Sequence, residues 1–124
     1  MAERDGKKHS PLIAVVGPCA SGKSSLVRRL KALGYNARSV AQDHSYVPDM
    51  WQRFTHPDFL IYLDAELSTI VRRRRFSLGE RYLVTERYRL RHARQHCDLY
   101  LPTDDLTEKK VLERVLTFLE ELDL

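Results

Sequence analysis

The sequence predicts a three-layer α/β domain: a small, mostly parallel sheet flanked on both faces by helices. Three observations carry this expectation. An apolar run, Leu12 to Val16, leads directly into a glycine-bounded turn and an amphipathic stretch that begins at Lys23. A second run, Phe59 to Asp64, is almost continuously apolar, as a strand covered on both faces must be. Apolar runs and segments of helical spacing then alternate to the C-terminus, the pattern of right-handed strand-helix-strand crossovers.

The elements follow in order. Met1 to Ser10 is polar and reads as a disordered leader, and residues 11–124 as a single domain. The first strand is Leu12–Val16. A helix runs from about Lys23 to Leu33, with Leu26, Val27, Leu30 and Leu33 on one face and Gly34 closing it. A second strand is expected at Ala37 to Ala41, before the polar turn Gln42-Asp43-His44-Ser45. Val47 to Thr55 holds a short helical turn around Trp51, and Pro57-Asp58 leads into the strand at Phe59. Next come a helix from Glu66 to Arg75, carrying Leu67, Ile70 and Val71, and a loop from Phe76 to Gly79. A long helix then reaches about His96. The last strand, Asp98 to Leu101, precedes the loop Pro102-Thr103-Asp104-Asp105, and the final helix starts near Thr107. Leu106 and Val111 bracket its start as a hydrophobic staple. Val111, Val115, Phe118, Leu119 and Leu122 form its apolar face.

Between the first strand and the first helix stands Gly17-Pro18-Cys19-Ala20-Ser21-Gly22-Lys23-Ser24, followed by Ser25. This is a complete GxxxxGK[ST] pattern in the strand-to-helix setting that gives it meaning. The first glycine permits a turn that a Cβ would obstruct, and the backbone amides then form a nest for an anion. The helix adds its N-terminal amides and the positive end of its dipole. Lys23 is expected to reach the β- and γ-phosphates, and the Ser24 hydroxyl to hold Mg²⁺. The expected ligand is ATP or another nucleoside triphosphate, together with Mg²⁺.

Composition narrows the classes. Of 124 residues, 43% are hydrophobic, enough for a core, and the net charge of +4 suits an anionic ligand without naming it. No apolar run approaches the roughly 18 residues of a membrane span, so no membrane partner is expected. Met1 to Ser10 lacks the apolar stretch of a secretion signal. Cys19 and Cys97 make no spaced pair, and a disulfide at Cys19 would close the loop to phosphate. A reduced, cytoplasmic setting is therefore expected.

The segments GPCASGKSS, FLIYLDAELSTIVRRRR and ERYRLRHARQHCDLYLPTDDLTEKKVLERVLTFLEEL together resemble P-loop kinases of nucleotides and small metabolites. Thymidylate-kinase-like, shikimate-kinase-like and nucleoside-kinase-like members share this layout. The resemblance covers most of residues 11–123, with a gap in the middle. It implies the P-loop NTPase fold and ATP-dependent phosphoryl transfer to a small-molecule acceptor. It also implies that the arginines after Val71, Arg75 among them, and those of the long helix form a lid over the phosphates. Pro102, Thr103 and Asp104 correspond to the edge that flanks the adenine. The stretch SVAQDHSY faintly resembles nucleoside kinases, in which such an aspartate, here Asp43, contacts the acceptor hydroxyl or the Mg²⁺ shell. The chain departs from the family in its middle. Only 24 residues, Tyr35 to Asp58, stand where members usually carry an acceptor-binding insert and one more core strand. The Asp-Arg pair found after an internal strand in several nucleotide kinases is also missing.

The residues themselves support a lid. Nine arginines fall between Arg72 and Arg94, opposed by Glu80 and Glu86. On a helix, Arg87, Arg91 and Arg94 lie within about 60° of one another, beside the stripe Leu83, Leu90, Ala93 and Cys97. Such a row suits clamping polyphosphate; the alternative is a solvated charge run with pairs such as Glu86 to Arg89. Asp43 follows the second strand at the sheet end where ligands collect, either taking a hydroxyl proton or capping a turn. Asp64 reads as a metal-binding carboxylate at a strand end or as a helix cap. His44 and Asp49 either line an acceptor pocket or reflect loop polarity. His92 and His96 have the spacing of zinc ligands but no third ligand is evident in the sequence. Cys19 is a candidate redox-sensitive thiol beside an anion nest or simply a small loop residue. Trp51 with Phe54 packs either a lid or a satellite core.

The favoured expectation is an ATP·Mg-dependent, kinase-like phosphotransferase. Lys23, Asp43, Arg87 and Arg91 would be its catalytic residues, and Ser24, Asp43 and Asp64 its metal ligands. The alternative is a nucleotide-binding regulatory module or slow NTPase acting through a partner protein, which the shortened middle favours. Nucleic-acid binding through Arg72 to Arg94, with Phe76, Tyr82 and Tyr88 stacking on bases, is a minor reading that the acidic final helix opposes. An incomplete sheet edge leaves room for a homodimer.

Overall fold

A computed structural model of the chain describes residues 10–74 and 79–123. Arg75, three residues of the expected loop after it and all but the last residue of the leader lie outside the described residues. Four strands, β1 (Leu12–Val16), β2 (Asn36–Ser39), β3 (Phe59–Asp64) and β4 (Leu99–Pro102), form one parallel sheet in the order β2-β1-β3-β4. The chain is thus α/β with helices on both faces of the sheet, as expected.

Burial explains this order. β1 and β3 take the centre because nearly all their residues are apolar and buried. Their alternating side chains feed two cores, as the pleat requires. On one face Ile13, Val15, Ile61 and Leu63 pack with Leu26, Val27 and Leu30 of α1 (Lys23–Ala32). Val111, Val115 and Leu119 of α5 (Glu108–Glu121) complete that core. On the other face Ala14, Val16, Leu60 and Tyr62 pack with Trp51, Leu90 and Ala93. A smaller cluster of Ala65, Ile70 and Leu83 joins α2 (Leu67–Arg74) to α3 (Glu80–Arg89). No helix among the described residues is long and apolar enough to cross a membrane.

Several expectations shift at their boundaries. The second strand begins one residue earlier, at Asn36, and ends at Ser39. Val40 still donates its amide to Val15 O (3.0 Å). The long helix is broken at Leu90 into α3 and α4 (Arg91–His96). No glycine or proline marks this break. The fully buried Leu90 sits at φ −94°, ψ 1°, and its amide divides between Glu86 O and Arg87 O. Tertiary packing of its side chain overrides a continuous helical pattern. The apolar faces are also narrower than expected, because Leu33 and Leu122 at the helix ends are exposed. The N-terminal cap of α5 is as expected: Thr107 Oγ1 accepts from Lys110 N (3.1 Å), and Leu106 packs on the core that contains Val111.

Between β2 and β3 the chain makes two 3₁₀ turns, Gln42–His44 and Met50–Gln52. Gln42 fixes them. Its Oε1 accepts from Trp51 N (2.8 Å), and its Nε2 donates to Val47 O (2.8 Å) and Arg89 O (3.1 Å). The side chain is fully buried, so Gln42→Leu would leave these backbone groups without partners. Thermal melts should show a loss of about 2–3 kcal/mol.

Candidate functional site

The turn after β1 is shaped by close approach. Gly17 has φ 152°, and a Cβ there would overlap Leu63 O and stand 2.8 Å from Ser21 Oγ. Ala20 (φ 63°) and Gly22 (φ 109°) are left-handed, which curls the backbone tightly between β1 and α1, and Ser21 N donates to Pro18 O (3.2 Å). The buried Ser21 Oγ has no partner. α1 starts with neither a side-chain cap nor an acid in its first turn, which leaves its N-terminal amides to whatever binds in front of them. Ser24 is exposed in that first turn.

Lys23 folds back over the turn. Its Nζ donates to Gly17 O (2.6 Å) and Pro18 O (3.1 Å) and lies 3.6 Å from Asp43 Oδ2. Beside the turn is a cavity of about 490 Å³, lined by Ala20, Ser21, Gly22, Ser25, Arg73 and Thr103 among others. Arg73 closes one wall. It donates to Ala20 O (2.9 Å), Thr103 Oγ1 (3.0 Å) and Thr103 O (2.6 Å). Thr103 Oγ1 in turn donates to Ser21 O (2.8 Å). Pro102, the end of β4, pairs with Asp64 one residue before Thr103.

The far side of the turn is held by α3. Both Glu86 oxygens accept from Cys19 N (3.2 and 3.3 Å), and Arg74 Nη1 reaches Cys19 Sγ (2.6 Å). Glu86 is fully buried. Burial pushes its carboxyl up to about 7; the Cys19 amide opposes this and the charge of Asp43 adds to it. Asp43 is buried too: Oδ2 faces Lys23 and His44 Nε2 (3.4 Å), while Oδ1 has no hydrogen-bond partner.

Lys23, Ser24, Ser25, Asp43, His44 and Thr103 therefore gather around the turn formed by Gly17, Pro18, Cys19, Ala20, Ser21 and Gly22. Asp64, Arg87 and Arg91 are engaged with one another or with aromatic rings. Asp64 Oδ1 accepts from Ala65 N (2.8 Å) and Arg87 Nη2 (3.2 Å), and Oδ2 from Tyr100 OH (2.6 Å). Burial and the hydrogen bond to Asp64 push the Tyr100 hydroxyl up to about 12. Arg91 lies over the Tyr88 ring (4.0 Å) and Arg94 over the Tyr100 ring (3.7 Å). The expected trio Arg87, Arg91 and Arg94 does form, in a shallow concavity shared with Tyr62, Asp64 and Gln95. Among the described residues, the arginines that touch the turn are Arg73 and Arg74.

The remaining candidates have local partners. Trp51 Nε1 donates to His92 Nδ1 (3.1 Å), and the His92 and His96 rings stack at 4.1 Å. Packing accounts for their spacing. Asp49 pairs with Arg53 (2.8 Å). Trp51 is buried in the core, whereas Phe54 projects into solvent. Asp104 accepts from Glu66 N (2.8 Å) and Thr69 Oγ1 (2.6 Å), the capping role considered for Asp64.

Glu86 was the residue that sequence reasoning passed over, as a mere counter-charge. Its signal was positional: it stands three residues after Leu83 and four before Leu90, inside the buried stripe. Because its carboxyl titrates higher in the folded chain than its ordinary 4.5, the folded state holds the proton more tightly. Stability from this group is full below about pH 4.5 and is lost as pH rises to about 7. Melting temperature should fall more between pH 5 and pH 8 in the wild type than in Glu86→Gln, as differential scanning fluorimetry would show.

A scan of protein-family models finds none that matches this chain. No curated protein matches it either.

Proposed function

We propose that the chain binds a nucleoside triphosphate with Mg²⁺ in a P-loop NTPase-type site and transfers its terminal phosphoryl group to a small acceptor. The observation that carries this reading is the tight turn at Gly17–Gly22, with positive φ at Gly17, Ala20 and Gly22, Lys23 folded over its carbonyls, and the cavity beside Ser25, Arg73 and Thr103. A polyphosphate suits the turn, and a nucleoside suits the adjoining cavity.

The chain's residues divide the work. The turn amides and the helix N-terminus orient the phosphates, and Lys23 swings from Gly17 O and Pro18 O onto them. Asp43, released from Lys23, takes the proton of the acceptor hydroxyl as the hydroxyl oxygen bonds to phosphorus. The bond from phosphorus to the bridging oxygen breaks, and the nucleoside diphosphate leaves. The exposed Ser24 hydroxyl and the unpartnered Asp43 Oδ1 fit a hard cation, which Ser24 and Asp43 would hold. Mg²⁺ would supply charge neutralisation on the phosphates. Arg73 and Arg74 are better placed for the phosphate chain than Arg87 and Arg91, which face Asp64 and Tyr88.

Thermal stabilisation by ATP, GTP or dTTP with Mg²⁺ tests binding, and acceptor-dependent turnover across nucleosides, nucleotides and hydroxy acids tests transfer. Absence of any nucleotide shift would sink both.

A second reading, a nucleotide-dependent regulator of a partner protein, is favoured by the segment between β2 and β3. It holds only two 3₁₀ turns and leaves Tyr46, Val47 and Phe54 exposed. Nucleotide binding without acceptor-stimulated turnover, with a partner retained only in ATP, would favour it. The basic lid fits nucleic acid less well, since Arg73, Arg87, Arg91 and Arg94 already have partners within the chain.

A further inference from the structure

Two acids from different elements meet beside the phosphate-binding turn. Asp43 is 2% exposed and Glu86 0%. Burying one carboxylate without a counter-charge is costly, and a second beside it compounds the cost. Lys23 stands 3.6 Å from Asp43 Oδ2, but in the proposed function it leaves for the phosphates. Arg89 contacts Asp43 through the backbone oxygen and not the carboxylate. Asp43 Oδ1, fully buried, meets no donor. The exposed His44 ring completes the group, with Nε2 3.4 Å from Asp43 Oδ2.

We propose that Asp43, His44 and Glu86 form a divalent-cation site that belongs to the protein itself and fills without nucleotide. Ligand atoms of the three lie within 4.8 Å of one another. With metal-ligand bonds of about 2.2 Å, ligands at right angles stand about 3.1 Å apart and opposed ligands about 4.4 Å. The largest spacing, at most 4.8 Å, exceeds the opposed-ligand distance by no more than about 0.4 Å, within reach of the exposed His44 side chain. Two carboxylate oxygens and one imidazole nitrogen favour a Mn²⁺-class ion over Mg²⁺, which prefers oxygen and keeps its water. Asp64, bound by Arg87 and Tyr100, is replaced in this role by Glu86. The site extends the metal part of the proposed function but does not depend on a nucleotide.

Lys23 and the cation compete for Asp43, and this yields an unusual signature. Titrating the nucleotide-free chain with MnCl₂, and following free Mn²⁺ by electron paramagnetic resonance, should show one ion taken up per chain. Glu86→Gln keeps the side chain's shape and should weaken uptake by about tenfold or more. His44→Ala, at an exposed position, should weaken it and remove a nitrogen coupling from the bound Mn²⁺ spectrum. Lys23→Ala should bind Mn²⁺ more tightly than the wild type, the reverse of its effect on nucleotide. No uptake at millimolar Mn²⁺, equal uptake by Glu86→Gln, or loss of uptake in Lys23→Ala would each overturn the site. ATP stabilisation without Mn²⁺ uptake would overturn the site and leave nucleotide binding standing.

Discussion

Lys23→Ala should lower affinity for nucleoside triphosphates by about a hundredfold, or ~3 kcal/mol, in calorimetric titrations with Mg²⁺. The ammonium already sits over the turn, donating to Gly17 O and Pro18 O, so it needs only a short swing to reach a phosphate. Nothing else at that position carries charge in the variant. The free protein should also respond. Without Lys23, the two neighbouring buried acids Asp43 and Glu86 lose the ammonium beside them, so the variant should melt lower at pH 8 than at pH 6 by a wider margin than the wild type. Unchanged nucleotide affinity in a folded Lys23→Ala chain would remove the central support for phosphate binding.

Gly17→Ala should cost ~3 kcal/mol or more, a fall of about 10 °C in melting temperature. Two effects add. The backbone sits at φ 152°, and the new methyl would overlap Leu63 O on the neighbouring strand β3. That carbonyl cannot turn aside without disturbing the end of β3, where Leu63 pairs with Leu101 of β4. Gly22→Ala provides the calibration. It shares the positive φ, but its nearest atom is a side-chain methyl, Leu63 Cδ1, at 3.9 Å. It should lose only the conformational part, about 1 kcal/mol. Equal melting temperatures for the two variants would show that the contact with Leu63 O does not set the turn.

These contrasts explain what was legible in the chain. β1, the turn, α1 and β3 were readable because short-range signals agree there: unbroken apolar runs, glycines at the corners, and one apolar helix face. The break at Leu90 was not, since its cause is a side chain drawn into the core under β3, with no local mark. The site was legible only where a local motif wrote it. Lys23 and Asp43 flank the turn as expected, whereas Glu86 arrives from 67 residues away along the chain. Asp64 shows the converse. Its place at a strand end was correctly read, but its partners Arg87 and Tyr100 come from α3 and β4, and pairings between distant elements leave no periodicity to find.

The chain contains one tryptophan. Trp51 is buried where the short segment after β2 meets α4, with its indole nitrogen bonded to His92 and its ring within 6.4 Å of His96. Indole emission responds to the polarity and contacts of its surroundings, so it is tied here to how the segment sits against α4. The protein therefore carries a native optical reporter in the segment that Gln42 ties to α3. Rearrangement of that segment can be timed in a stopped-flow instrument with no dye, no label and no added cysteine.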